Sequence, residues 1–239
     1  MKRRILRWLS FGAAGLALAA GVAFASVPGY HRAATPGLFG MTQAAPNLYI
    51  DDSAQADAVL ALIAKAETAT MAFFGELRAN PIYIICTTQQ CKDDFGIKPR
   101  AITVGYHWIL VEPKGVTQLI LTHERIHAEL HRFMGISDIL NQRFPAWFDE
   151  GLASHISGDD RLNRPENPRD ADWIRTAHSF GDWGALHKKH NWQDTYGAAA
   201  RLVQEIDAQI GRDGLLQFIK EVGAGAEFDA TLTTFMAKP

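Results

Sequence analysis

Hydrophobic periodicity divides this chain into a first part with strands and a second part that is mostly helical. Apolar residues recur at the three-to-four-residue spacing of a helix over Ala54 to Phe74, and Ser53 is a suitable N-cap for that helix. Three short runs rich in β-branched and aromatic residues predict strands: Leu48 to Ile50, Pro81 to Cys86 and Ile109 to Val111. We therefore expect a small sheet in the N-terminal half, covered on one face by a helix.

The segment Gly115 to Gly135 has apolar residues around most of its helical circumference, which is typical of a helix buried on several sides. Thr117 lies where this helix needs an N-cap. After a connection over 136–144, Pro145 begins a second helix with the sequence PAWFDEGLASHIS. The polar, proline-containing segment Asp159 to Asp170 then predicts a surface loop.

Helical spacing resumes in the C-terminal part, over Thr195 to Ile210, Asp213 to Val222 and Glu227 to Met236. The breaks fall at Gly211 and at Gly223 to Gly225. The predicted fold class is α+β, with a small N-terminal mixed sheet packed on the buried helix described above, followed by a mostly helical C-terminal half.

The N-terminus has the pattern of an export signal. Four cations within the first seven residues precede Trp8 to Val27, a run without formal charge. Its length suits a membrane-spanning helix, whereas Ala23 to Ala25 also fits a signal-peptidase site, so residues 1–27 are a signal peptide or a signal anchor. Residues 28–46, rich in Pro, Gly and Ala, are predicted to be a linker, and 47–239 one domain on the exported, extracytoplasmic side.

Composition supports a folded domain and excludes some partners. The chain is 47% hydrophobic and 21% charged, with a net charge of −2. No basic stripe with interleaved aromatic residues is present, so we expect no nucleic-acid partner. In an oxidising compartment Cys86 and Cys91 are expected to form a disulfide if the chain doubles back between them. Their spacing is unlike that of a thiolate zinc site.

The buried helix contains the pattern H-E-x-x-H at His123, Glu124 and His127. Residues four apart lie on one helical face, so the two imidazoles can bind one cation, and Glu124 can reach a water on it. Catalytic zinc usually takes three protein ligands. His131 lies about 12 Å along the helix axis from His123, too far to be the third, and is expected to pack or face solvent.

The third ligand is expected on the second helix, where Glu150 and its rival Asp149 follow Trp147 and Phe148. HERIH followed by the Glu of WFDEGLA resembles the gluzincin metallopeptidases, the group that contains thermolysin and the zinc aminopeptidases. The resemblance covers Val104 to Met236, although the connection between the two helices is a few residues longer here. It implies one zinc ion held by His123, His127 and Glu150, with Glu124 as general base and Asp149 facing away.

The resemblance also implies further roles. A tyrosine downstream of the third ligand stabilises the oxyanion in aminopeptidase-like members, and Tyr196 stands in a similar place. His178, His187 and His190 are the alternatives for a cationic donor of the thermolysin kind. Ser154 would be the outer hydrogen-bond partner of a metal-bound histidine, at a position where thermolysin-like members carry an acid.

The same resemblance makes Tyr106 to Glu112 an edge strand on which an extended peptide pairs, with a central strand as the alternative. No amine-recognition motif of the aminopeptidase kind precedes the helix, which favours internal cleavage. The expected function is an exported zinc peptidase acting on peptides or proteins. The alternative is an inactive, zinc-binding envelope protein that acts as a scaffold. The pattern leaves oligomeric state and natural substrate open.

Overall fold

The computed structural model describes residues 29–135, 138 and 142–237. The predicted signal at 1–27 lies outside these residues, as does most of the connection over 136–144. Within the described part of the chain, none of the helices combines the length and the apolar character that crossing a membrane requires.

Five strands form one mixed sheet in the N-terminal half, in the order β1-β2-β3-β5-β4. The strands are β1 Thr42–Ala45, β2 Leu48–Ile50, β3 Ile82–Ile85, β4 Ala101–Val104 and β5 Trp108–Val111. β2, β3 and β5 run parallel, whereas β1 and β4 pair antiparallel to β2 and β5. The expected α+β fold with a small mixed sheet is therefore confirmed. Tyr106 to Glu112 is not an edge strand, because β5 lies between β3 and β4, and the two edge strands of the sheet are β1 and β4.

Seven α-helices are present among the described residues. They are α1 Ala56–Phe74, α2 Gln89–Phe95, α3 Gln118–His131, α4 Ala146–Ser157, α5 Phe180–Lys189, α6 Trp192–Gly223 and α7 Phe228–Met236. Thr117 caps α3 as predicted, because its hydroxyl accepts a hydrogen bond from the Ile120 N–H at 3.3 Å. Gly211 interrupts α6 with a φ of 68°, a left-handed conformation that favours glycine. The sequence pattern missed α2 and α5.

The strands alternate between two cores. On one face of the sheet Leu48, Tyr83 and Ile109 are fully buried with residues of α1 and α3. On the other face Ile84 and Leu110 pack with α2 and the segment before β1. The helix α3 packs on the sheet on one side and on α4 on the other. It therefore positions the C-terminal helices relative to the sheet.

α4 packs closely on both α3 and α6, within a third core that includes Trp147 and Phe148. Gly151 allows this approach, because a Cβ atom there would lie 2.6 Å from the carbonyl oxygen of Ala199 on α6. The glycine after Glu150 is thus required by helix packing. This packing holds the face of α4 that carries Glu150 against α3.

The segment predicted to be a linker, residues 28–46, is folded in the part that the structure describes. Residues 30–34 and 36–39 form two short 3₁₀-helices, and β1 follows them as part of the sheet. Ala33 and Met41 are buried in the core around α2. This segment therefore belongs to the folded domain. Cys86 and Cys91 form the expected disulfide, which joins the end of β3 to α2.

Candidate metal centre

Three ligand atoms meet where α3 faces α4. Nε2 of His123 lies 3.0 Å from Nε2 of His127, and Oε2 of Glu150 lies 3.3 and 3.4 Å from those two nitrogens. The histidines come one helical turn apart on α3, and Glu150 comes from α4. The structure therefore brings together the three residues that the sequence predicted as ligands.

The size and chemistry of this triangle fit a zinc ion. Zinc binds imidazole nitrogen and carboxylate oxygen at about 2.0 to 2.1 Å, so two ligands of a tetrahedral site lie about 3.3 Å apart. The three observed separations scatter around that value. Two nitrogens and one carboxylate are also the donor set of catalytic sites that leave one position open.

A buried carboxylate on α4 orients His127. Oδ1 of Asp149 accepts a hydrogen bond from Nδ1 of His127 at 2.6 Å, and its Oδ2 lies 2.8 Å from Nε2 of His131. Nδ1 of His131 in turn lies 3.0 Å from the carbonyl oxygen of Gly105, in the turn between β4 and β5. Because Nδ1 donates its hydrogen bond to Asp149, the neutral form of His127, which is the form that binds a metal, would direct the lone pair of Nε2 at the triangle.

This arrangement corrects two expectations. Asp149 does not face away: it is fully buried and is the outer partner of His127. The role suggested for Ser154 is therefore taken by Asp149, and the main-chain carbonyl of Ser154 accepts hydrogen bonds from the side chains of Ser157 and Arg164. His131 is neither a ligand of the triangle nor a surface residue. The adjacent acidic pair at 149 and 150 was the signal in the sequence that could have suggested one ligand and one partner.

The local charges favour a cation at the triangle. Burial lowers the pKa of His127, but the carboxylates of Asp149 and Glu150 outweigh it and raise that pKa well above its ordinary value. Burial raises the pKa of Glu150, but the charges and hydrogen bonds of His127 and His123 outweigh burial and lower that pKa to about 2. Burial also raises the pKa of Asp149, but the charges and hydrogen bonds of His131 and His127 lower it overall. Both carboxylates are therefore ionised at neutral pH.

Glu124 lies beside the triangle and is held in place by a strand. Its Oε2 accepts a hydrogen bond from the hydroxyl of Thr103 at 2.7 Å, and the same hydroxyl lies 2.9 Å from the Glu124 carbonyl oxygen. Thr103 comes from β4, whose other face contributes to the core around α2. The sequence pattern did not identify Thr103, because nothing local to β4 shows which helix its polar side chain will meet.

Tyr196 of α6 lies near His123, with the two ring centroids 6.0 Å apart. Its ring packs edge-on against Trp183 and His187. Burial raises the pKa of Tyr196 well above its ordinary value, and the charges of Glu150 and Glu124 act in the same direction. The phenol is therefore protonated and can donate a hydrogen bond.

The alternative donors are placed differently. His187 lines the same cleft as Tyr196, but His178 is exposed and His190 stacks on Trp173 with ring centroids 4.0 Å apart. Neither His178 nor His190 lines the cleft. Of the candidates named from the sequence, Tyr196 and His187 remain.

Two buried charges of α3 fix the position of this helix. Nη2 of Arg125 donates to Oε1 of Glu129 at 2.9 Å and to the carbonyl oxygen of Ala79 at 2.8 Å. Glu129 in turn accepts from the backbone N–H groups of Arg78 and Ala79. The R of HERIH thus ties α3 to the segment before β3, which keeps the histidines in register with the sheet.

The site lies at the centre of a cleft with two arms. Both arms share Pro99, Ala101, His123, Glu124 and Tyr196. The side chains that distinguish the first, called here the apolar arm, are Ile102, Tyr106, Met134 and Phe180. The side chains that distinguish the second, called the basic arm, are Lys92, Lys98, Arg100, Lys114 and Arg161.

No family model, curated protein or solved structure matches this chain. The proposed function therefore rests on the sequence pattern and on the geometry of the site.

Proposed function

We propose that this chain is an exported zinc metallopeptidase of gluzincin type that cleaves peptide bonds within its substrates. The observation that carries the proposal is the triangle of His123, His127 and Glu150, with ligand atoms 3.0 to 3.4 Å apart and an acid and a phenol beside it. These are the parts that hydrolysis of an amide by an activated water requires.

His123, His127 and Glu150 would hold the metal. Bound zinc supplies Lewis acidity and lowers the pKa of water to about 7. Asp149 would keep the imidazole of His127 in the tautomer that binds metal, because its carboxylate accepts the Nδ1 proton. The buried, ionised carboxylates supply the negative charge that offsets the cation.

Glu124 would act as the general base and then as the acid. It would accept a proton from the attacking water and deliver it to the leaving amine. The hydroxyl of Thr103 fixes the orientation of this carboxylate, since it donates to Oε2 from a strand rather than from a mobile loop. Tyr196, held protonated by burial, would donate a hydrogen bond to the oxyanion that develops on the substrate carbonyl.

The shape of the cleft supports internal cleavage. The site lies between two arms, so a chain can continue on both sides of the bond being cleaved. The edge of β4 that is not paired with β5 borders this cleft and offers main-chain hydrogen bonds to an extended peptide. No described feature favours the inactive scaffold, because the candidate base and the candidate donor both line the cleft.

The test combines metal content with cleavage. We expect the Glu124→Gln variant to retain one zinc ion per chain and to lose at least ~100-fold in cleavage of an unfolded protein. His123→Ala should lose the metal as well. Glu221→Gln, at an exposed position of α6, is the matched control and should behave as wild type. Undiminished cleavage by Glu124→Gln, or zinc binding that survives His123→Ala, would refute the proposal.

A further inference from the structure

The two arms of the cleft differ in charge, and this difference bears on the substrate. The basic arm carries five cationic side chains and three anionic ones, Glu112, Asp159 and the shared Glu124. Glu112 is buried between Lys92 at 3.1 Å and Arg100 at 3.7 Å, and Asp159 binds Arg161 at 2.6 Å. Even after these pairings, the wall of this arm has a net positive charge.

Two lysines of the basic arm have no acidic partner within the described part of the chain. Lys98 and Lys114 are both exposed, and neither takes part in an ion pair there. Because the whole chain has a net charge of −2, this positive surface is a local feature rather than a consequence of composition. A cleft wall with charge of one sign attracts ligands of the opposite sign.

The apolar arm has the opposite preference. Among the described residues outside the candidate site, the charged side chain that lines it is Asp138, which pairs with Arg143 at 3.3 Å, so this arm lacks the unpaired cations that would attract an acidic ligand. Phe180 and Tyr106 are 50% and 37% exposed at this arm, an unusual exposure for aromatic rings. Trp192, 38% exposed, lies at the basic arm under the guanidinium of Arg161.

These observations favour a peptide over other anions. A polyphosphate repeats its charge along its whole length and has nothing for the apolar arm to bind. A nucleic acid has bases that stack on aromatic rings, but it would also place phosphates at the apolar arm, whose described lining contains no lysine or arginine. An extended peptide can carry different side chains on either side of one bond, and its backbone can pair with the free edge of β4. Both arms are then used at once.

We infer that the substrate is an extended peptide with acidic side chains on one side of the cleaved bond and apolar or aromatic side chains on the other. The inference rests on the proposed function for the cleaved bond, but the preference itself concerns binding. It assigns the acidic side to the basic arm and the apolar side to the arm with Phe180 and Tyr106.

The test measures binding to the full chain carrying Glu124→Gln, so that bound peptide is not cleaved. The probes are fluorescein-labelled peptides with an acidic half and an apolar half, the same peptide with lysine for each acidic residue, and one with glutamine. At low salt we expect the acidic peptide to bind about tenfold more tightly than the glutamine peptide, and this ratio to fall as salt is added. Equal affinity for all three peptides would overturn the inference.

Two double substitutions, each added to the Glu124→Gln chain, test which lysines produce the preference for the acidic peptide. Adding Lys98→Ala and Lys114→Ala should weaken binding of the acidic peptide about three- to tenfold and leave the glutamine peptide unchanged. Adding Lys65→Ala and Lys220→Ala, two exposed lysines outside the cleft, removes the same charge and should change neither affinity. A similar loss in both pairs would mean that net charge, not the basic arm, selects the peptide. Competition by polyphosphate as strong as by the acidic peptide would also contradict the inference.

Cleavage by the wild-type chain separates this inference from the proposed function. In products mapped by mass spectrometry, acidic residues should lie on the same side of every cleaved bond. Acidic residues distributed equally on both sides would overturn the inference and leave the peptidase proposal intact. Selective binding of the acidic peptide without any cleavage would support the inference and refute the peptidase proposal.

Discussion

Replacing Asp149 by asparagine tests whether the outer carboxylate seen in the structure sets up the metal site. Asp149 is fully buried and is shared between Nδ1 of His127 at 2.6 Å and Nε2 of His131 at 2.8 Å. Asparagine has nearly the same shape, but it is neutral and has one acceptor oxygen instead of two. One imidazole would therefore face an amide NH₂ group, and His127 would lose the charge that fixes its tautomer.

The expected magnitude follows from these contacts. Outer partners of metal-bound histidines are worth about 10- to 100-fold in metal affinity, which corresponds to about 1.4 to 2.7 kcal/mol. Loss of a buried, charge-assisted hydrogen bond costs about 1.5 to 3 kcal/mol of folding free energy. We expect Asp149→Asn to show both losses, because the same carboxylate serves the metal site and the packing of α4 on α3.

Zinc affinity is measured by competition with a chromophoric chelator, and the free energy of unfolding by urea titration. Ser154→Ala is the control, since Ser154 lies on the same helix and was the residue expected in this role. It should leave zinc affinity within about twofold of wild type. If folded Asp149→Asn binds zinc like wild type, or if Ser154→Ala is the variant that loses affinity, the assignment of the outer partner is refuted.

Three further substitutions test separate parts of the structure. Thr103→Val should lower kcat about tenfold without changing zinc content, because Glu124 loses its hydroxyl donor, and Thr103→Ser should restore activity; a change in metal content instead would show a structural role. Tyr196→Phe should lower kcat about 100-fold with KM nearly unchanged, and wild-type kinetics would exclude Tyr196 as the oxyanion donor. Burial raises the pKa of Asp51, but hydrogen bonds from the two threonines after β3 lower it overall. Its contribution to stability is therefore complete above the unfolded pKa of about 3.9 and is lost as pH falls through the lower folded pKa. Urea titrations should show Asp51→Asn less stable than wild type by about 1 kcal/mol at pH 7, after discounting for partial exposure, and by less at pH 3; an equal difference at both pH values would contradict this.

Much of the secondary structure could be predicted from local patterns. Runs of β-branched and aromatic residues identified β2, β3 and β5 as strands, and apolar residues around most of the circumference identified α3 as a buried helix. Two histidines four apart share a face of any α-helix, so two of the three ligands could be placed together from the sequence. α2 and α5 were missed because α2 buries two side chains and α5 buries one, too few to show an apolar period.

Pairing between distant segments was harder to predict from the sequence. β4 became the free edge of the sheet because β5 pairs with β3, and no residue within β4 encodes that order. The segment before β2 became part of the fold because β1 pairs with β2, although its composition is that of a linker. For the same reason Thr103 was not recognised, since its contact with Glu124 depends on how the sheet lies against α3.

The sequence by itself determined which residues could bind a metal: two histidines on one helical face and a carboxylate on a second amphipathic helix. Only the tertiary structure decided what surrounds them. Helical geometry gives the angles of Asp149, Glu150 and Ser154 about the axis of α4, but not how that axis crosses α3. The packing of α4 on α3 decides this crossing, and it places Oε2 of Glu150 beside the Nε2 atoms and Oδ1 of Asp149 beside Nδ1 of His127. The ligands follow from local spacing, whereas their partners depend on the packing of two helices.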